Sequence, residues 1–510
     1  MSHDLAPEKD RDSGFTDKTL GVRPSASSAG SRVLWRLVWC SMALLAVTGP
    51  LLPSFLLPGR YRLLFGVLLF AIAAAQLVRG ASFLLRKEYK LAVIMLVLFG
   101  IGLIWQRLPE ISPRRYDFST YYVAGKLLAE QPDGRLYYNE VFPDGRIQAF
   151  MSAKLRYEFA QRYGLPYAIP PIMYPPFFAV LMKPLARFSY TNAYIMWTAV
   201  TVGLTLAAVW LSLDLGGKRL SAELTLILLT GLFSYFPFFQ ELLLGQVASL
   251  LLFFCALGIW LLVRNRNWSS AFCFAFATMV KLTPAIVVPI LVFHRKWRWL
   301  TAYGCWMAGL FGFSVWQAGW LAHMEFIHHV MPSIACGVIT TGNISLVAYI
   351  QDLFVGHVPS GASQILLPPL ACPVSKIVAF VLCAGMMYRF YVHRKQHLVL
   401  HITLALLLSL SISPIAWMHY YVIAILPFLY LWCRMRGSGR DILLLAFLLV
   451  VGTNVTVFAL RLSTNHPVQL VIAAVVPCLT VALIYFRAAL EDSVFSERLH
   501  ASPVCDSATP

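Results

Sequence analysis

Runs of about 15–25 apolar residues, separated by short basic clusters, recur along most of this chain, and nothing constrains its folding more. Such runs hide from water only in a lipid bilayer or a very large core. The rest of the composition decides between these. Hydrophobic residues make up 59% of the 510 positions and charged residues 13%, whereas soluble domains carry roughly a quarter charged residues. The expected fold class is therefore an all-α polytopic membrane protein with about 12 to 14 transmembrane helices. A long polar loop on the outer side is expected to carry amphipathic surface helices.

Division of the chain follows from where the runs stop. Residues 1–32 mix Ser, Gly and both charge signs without periodicity, as a disordered cytoplasmic tail would. N-terminal transmembrane segments fill 33–106, at about 33–57, 63–79 and 91–106. Residues 107–174 form a polar, extracytoplasmic catalytic loop, whose patches 120–129 and 147–163 look amphipathic. A transmembrane core follows at 175–321, a second extracytoplasmic region at 322–374, C-terminal transmembrane segments at 375–487 and a cytoplasmic tail at 488–510.

Lys and Arg number 41 against 23 acids. In a soluble protein that excess would suggest nucleic acid. Here the cations cluster between apolar runs, as cytoplasmic turns require, so lipid and no nucleic acid is the expected partner. His294–Arg298, His393–His397 and Arg434–Arg440 orient the chain, and place 107–174, 322–374 and the turn at Ser413 on the outer face. One conflict stands: Lys218 and Arg264 cannot both be cytoplasmic if every apolar segment of 175–293 crosses. Either one basic turn lies outside, or 175–189 is re-entrant and 269–293 is broken at Lys281 and Pro284.

The acids narrow the search for chemistry, because ionised carboxylates are costly in lipid. Five lie in the N-terminal tail, four in the C-terminal tail and seven in 107–174. Asp117, in YDFSTYYVAGKLL, follows Arg114 and Arg115. A water-poor setting would make its carboxylate a better general base, and the guanidinium groups could hold a phosphate bidentately. Pairing with Arg115 or capping of a helix explains the same residues. YPPFFAVLMKPLA, 174–186, starts a helix on two prolines, a plain membrane entry or, with Lys183, a lipid-phosphate site. Gln246 interrupts an apolar stretch and must bond to another helix or to a ligand. Lys281, mid-run before Pro284, either snorkels or meets an anion. Asn343, Ser345, Trp417 and His419 suit sugar hydroxyls and ring stacking, or an interfacial aromatic belt. His323, Glu325, His328 and His329 would serve as solvated interface residues or as a metal site.

Cys336 and Cys372 fall in one loop, with free thiols the simpler expectation. Neither a phosphate-cradling Gly-rich loop nor H-E-x-x-H occurs, so nothing points to nucleotide hydrolysis or a metalloprotease.

Six motifs stand in order: D-F-x-x-Y-Y-x-A-G at 117–125, Y-P-P-F-x-A at 174–179, G-Q-V at 245–247, K-x-T-P at 281–284, G-N-x-S-L at 342–346 and S-P-I-x-W-x-H at 413–419. Together the set resembles glycosyltransferase family 87, membrane enzymes of the C-type glycosyltransferase fold that take a sugar from a polyprenyl-phosphate donor. Ala248, Ile344 and Met418 depart from residues common in relatives, and the spans before the motifs are unusual.

The resemblance implies a bacterial cell-membrane enzyme with an extracytoplasmic active site. It would transfer a hexose, mannose first, to a glycan or glycolipid acceptor with inversion. Asp117 would be the base, and Arg114, Arg115 and Lys281 would hold the donor phosphate. Tyr121, Tyr122, Gln246, Asn343, Trp417 and His419 would bind sugar or acceptor. No cofactor is expected, and nothing in the sequence indicates a divalent metal. A transporter or flippase of lipid-linked sugars, and a non-catalytic envelope scaffold, are the competing readings.

Overall fold

A computed structural model describes residues 116–130, 136–137, 140–141, 147–148, 153–165, 169–218, 232, 235–335, 343, 345–355, 370–394 and 398–434. The expected spans at 33–57, 63–79, 91–106, 441–460 and 468–487 lie outside these residues, as do both tails, Arg114, Arg115 and Cys336.

Among the described residues the architecture is helical apart from one pair of two-residue strands, β1 (Glu140–Val141) and β2 (Ile147–Gln148), which pair antiparallel. α1 (Tyr116–Glu130) opens with Asp117 in its first turn, where a carboxylate complements the helix dipole. It was expected on a surface. Instead Phe118, Tyr121, Tyr122, Val123, Ala124, Leu127 and Leu128 are all buried, so apolar residues cover most of its circumference and it packs among other helices. α2 (Ala153–Arg162) is the amphipathic one: Phe159 and Ala160 are buried while Lys154, Tyr157 and Glu158 are exposed.

The prolines of the YPP motif start α3 (Pro176–Met182), a helix of only 7 residues. Gly125 of α1 lies so close to it that an added Cβ would sit 2.8 Å from the Met182 carbonyl carbon. Ser189 then caps α4 (Tyr190–Leu215), its side chain accepting from the Asn192 N–H at 3.4 Å. At 26 residues, α4 is about 39 Å long. Among the described residues, α4 and α12 (Ala371–Val392) are the two helices long and apolar enough to cross a bilayer.

α5 (Phe236–Leu244) ends at Gly245, whose φ of 68° is left-handed backbone that a side chain resists. α6 (Ala248–Val263) then runs parallel to α4, for their C-terminal ends meet: Arg264 pairs with Asp214 at 2.7 Å and Trp260 donates to it at 2.9 Å. α7 (Asn267–Val280) climbs back. Lys281 is extended, Thr283–Ile286 makes a 3-10 turn around Pro284, and α8 (Val287–Phe293) descends again.

The descent is shown by contacts at its foot. Phe293 meets Tyr391 at the end of α12, and His294 meets His401 at the start of α13 (Leu398–Ile412). α9 (Trp297–Glu325) begins beside α7, where Trp299 donates to Ser270. It is kinked at Gly319, continues through a π-helical turn at Phe326–Val330 and ends in α10 (Met331–Ala335). α11 (Leu346–Val355), α12, α13, a 3-10 segment at Met418–Ala424 and α14 (Ile425–Arg434) complete the described chain.

The stretch 267–293 starts and finishes at one end of the helices, with its break at the other. Lys218, Arg264, Arg266, His294–Arg298 and His393 therefore gather at one end, with Asp117, Lys281 and Ser413 at the opposite one. The break at Lys281 and Pro284, part of one of the two alternatives, is present.

Candidate active site

The site forms where α1, the loop before α3, the turn between α5 and α6, and the break at Lys281 converge. Gln246 is the hub. Its amide donates to the Asp117 carboxylate. Its carbonyl accepts from the Tyr121 hydroxyl at 2.7 Å and the Tyr174 hydroxyl at 3.3 Å. The two hydroxyls are themselves 3.0 Å apart.

Local sequence holds the hub still. Gly245 presses on α1, where an added Cβ would lie 2.6 Å from the Phe118 Cβ. Trp197 donates to the Gly245 and Gln246 carbonyls at 2.9 and 3.1 Å, and Tyr194 donates to the Leu242 carbonyl. Phe118 packs against Tyr190, Tyr194 and Trp197. The apolar residues of D-F-x-x-Y-Y thus build the wall on which its polar residues stand.

Burial raises Asp117 from an ordinary carboxylate to about 6, partly offset by the Gln246 hydrogen bond. Burial, then the Asp117 charge, keeps Tyr121 well above the usual phenol range; burial does the same for Tyr174. Both therefore stay neutral, so each can donate to one neighbour and accept from another. Tyr122 points elsewhere, donating to the Phe188 carbonyl at 2.9 Å.

Lys281 completes the polar set. Its Nζ lies 3.0 Å from the centre of the Tyr420 ring and 5.7 Å from that of Tyr174, a cation–π contact in an aromatic setting. A cavity of about 230 Å³ opens beside it, lined on its polar side by Lys281, Thr283 and Ser413 and on its apolar side by Met173, Phe326 and Ile334 among others. A cation at the head of an apolar chamber suits an amphiphile with an anionic group.

Asn343 and Trp417 meet as well, but by backbone pairing. The Asn343 side chain donates to the Pro414 carbonyl at 2.9 Å and accepts from the Ala416 and Ser345 N–H groups at 2.9 and 3.2 Å. Its visible work is to clamp the 413–417 loop. Ser345 accepts from the Ala348 N–H and caps α11. Trp417 is partly exposed; His419 is buried against Tyr420, and among the described residues neither ring nitrogen finds a hydrogen-bond partner.

Other candidates disperse. Lys183 donates to Gln317 at 3.1 Å. His323 bonds to Ser314 and the Gly319 carbonyl, and among the described residues no group of three or more His, Cys, Asp or Glu is arranged for a metal. Cys372 is a free thiol. Sequence reasoning met Tyr174 only as the flank of the YPP motif and passed over Tyr420 and Glu241, although each stands inside or within four residues of a motif already singled out.

Residues 173–414 match the family model of glycosyltransferase family 87. Gln246, Lys281 and Asn343 fall inside that segment, whereas Asp117, Tyr121, Tyr122, Trp417 and His419 fall outside it. Over 216 residues the chain is 29% identical to a protein of Mycobacterium tuberculosis (strain CDC 1551 / Oshkosh), the polyprenol-phosphate-mannose-dependent alpha-(1-2)-phosphatidylinositol pentamannoside mannosyltransferase. That alignment covers 41% of this chain and 44% of the relative, so the chain spans less than half the length of the curated relative it matches. Through the segment 173–414, the chain is similar to glycosyltransferase family 87.

Proposed function

We propose that this protein is a membrane glycosyltransferase. It moves a hexose, mannose by analogy with the named relative, from a polyprenyl-phosphate donor to a glycan or glycolipid acceptor. The observation that carries this reading is the meeting of a raised carboxylate, Asp117, with a lysine, Lys281, across the Gln246–Tyr121–Tyr174 network and beside an apolar chamber.

A phosphate leaving group departs without protonation, so one carboxylate suffices where glycosidases use two. Asp117 takes the proton of the acceptor hydroxyl, whose oxygen attacks the anomeric carbon from the face opposite the phosphate. The C–O bond to phosphate breaks, its electron pair leaves with polyprenyl phosphate, and the product has inverted configuration. Lys281 offsets the charge growing on that phosphate, with Arg114 and Arg115 assigned to the same task. Gln246 and Tyr121 orient the carboxylate, and Trp417 and His419 face the sugar. Tyr122 and Asn343 shape the site from behind it.

By the positive-inside rule the end carrying Lys218, Arg264 and His294–Arg298 faces the cytoplasm, which puts Asp117 on the extracytoplasmic face of a bacterial cell membrane. The divisions at 1–32, 33–106, 107–174, 175–321, 322–374, 375–487 and 488–510 and the 12 to 14 spans belong to this reading, as does a reaction without cofactor.

Turnover of a polyprenyl-phosphate mannose donor by the purified protein, with the product linkage assigned by NMR, is the test. No release of polyprenyl phosphate with any glycolipid or glycan acceptor sinks the proposal. Retained anomeric configuration sinks the single-displacement mechanism.

A further inference from the structure

Tyr174 stands where the carboxylate network meets the cavity, and the mechanism above gives its hydroxyl no task. It is half-buried and lines the cavity of about 230 Å³ together with Lys281, Thr283 and Ser413. Tyr121 is buried and takes no part in that lining. The centre of the Tyr174 ring lies 5.7 Å from the Lys281 Nζ.

Counting protons shows that this hydroxyl is lightly held. Three contacts join Tyr121, Tyr174 and the Gln246 carbonyl: Tyr121 to Gln246 at 2.7 Å, Tyr174 to Gln246 at 3.3 Å and hydroxyl to hydroxyl at 3.0 Å. Each phenol brings a single proton. Two protons therefore serve three contacts, and one contact is always without its own. The shortest has the usual length of an O–H···O bond and claims the Tyr121 proton. The Tyr174 proton is left with the two longer ones. Tyr420 hydrogen-bonds to the same hydroxyl.

Gln246 keeps its place without Tyr174. The Glu241 backbone carbonyl accepts from the Gly245 and Gln246 N–H groups and closes the turn, and its side chain accepts from the Ser249 N–H at 2.7 Å. Trp197 and Tyr121 hold Gln246 from two further sides. Releasing the Tyr174 proton thus costs one long contact and leaves the support of Asp117 standing.

We propose that Tyr174 is a hydrogen-bond ligand of the lipid phosphate, its O–H turning from the network to a phosphate oxygen beside Lys281. The inference rests on the glycosyl-transfer reading and adds a residue to its phosphate site. A hydroxyl bond to a charged oxygen is shorter and roughly twice as strong as one between neutral groups, so the exchange is favourable. Negative charge grows on the phosphate as the C–O bond breaks, and the bond strengthens with it.

Tyr174→Phe removes the hydroxyl and keeps the ring beside Lys281. The test is binding of polyprenyl phosphate, and of uncharged polyprenol, to the purified protein in nanodiscs. The variant is expected to bind the phosphate about tenfold more weakly, the measure of one hydrogen bond to a charged group, and polyprenol within about twofold of wild type. Unchanged phosphate binding overturns the proposal, and so does an equal loss for both lipids, which marks lost packing. Should Tyr174→Phe not fold, replacement of Tyr174 by 3-fluorotyrosine, a stronger acid of nearly the same shape, must tighten phosphate binding and spare polyprenol; no tightening overturns it equally. Binding is read without turnover, so wild-type protein that binds the phosphate and transfers no sugar would overturn the function and not this contact.

Discussion

Gln246 donates its amide to the Asp117 carboxylate across 129 positions of sequence, and in doing so ties the G-Q-V turn to the first turn of α1. The carboxylate is oriented by a neutral partner and raised by burial, as a general base requires. Asp117→Asn is expected to lower transfer by about 10²–10⁴-fold while the protein stays folded and membrane-inserted. Transfer rates and thermal melting of the purified variant check both halves, and normal transfer would remove Asp117 from the role of base.

The same carboxylate sets a pH dependence. Asp117 is raised to about 6, and only its deprotonated form accepts a proton. The rate should therefore climb through about pH 6 and level off above it. Because the Gln246 hydrogen bond lowers the value, Gln246→Leu should move the inflection upward. A kcat/KM profile across pH 5–8 reads both; an inflection that stays put in the variant would separate Gln246 from the base.

Lys281→Ala is expected to raise the donor KM more than the acceptor KM, since the lysine faces the cavity assigned to the lipid phosphate. Initial rates with each substrate varied in turn decide it. Equal effects on the two would take the lysine out of the phosphate site.

Gly245→Ala should cost stability and activity together. Its φ of 68° disfavours a side chain by about 1–3 kcal/mol, and the new methyl would lie 2.6 Å from the Phe118 Cβ. A lower melting temperature with a parallel loss of kcat is the expected result, while wild-type melting would show that α1 and the turn part without penalty.

Asn343→Ala distinguishes a clamp from a sugar ligand. Losing its bonds to Pro414, Ser345 and Ala416 should destabilise the protein by about 1–3 kcal/mol. A changed sugar KM with unchanged melting would favour direct contact with the substrate.

How much of this was legible beforehand depended on contrast. Asp117, Gln246 and Lys281 stand out because each is polar within an apolar setting, and the structure brings them to one place. Tyr174 and Tyr420 carry no such contrast: an aromatic beside an apolar run reads as belt or core. Glu241 sits at the tail of FPFFQELLL, where only the fold reveals that its carboxylate points inward. Hydropathy likewise cannot tell an apolar run broken at Lys281 and Pro284 from an unbroken crossing, so the break was visible as part of one alternative and no further. Asn343 and Trp417 meet by backbone pairing, but residue type alone cannot say whether an amide meets a sugar or a carbonyl.

The hairpin of α7 and α8 works as a ruler. Lys281 stands at its apex, and its arms of 14 and 7 residues start and finish at the opposite end of the protein. At about 1.5 Å per helical residue, the length of these arms sets the height at which Lys281 stands. Because each residue also turns a helix by about 100°, whole turns, and not single residues, are the steps in which that height can change with the lysine still facing the same way.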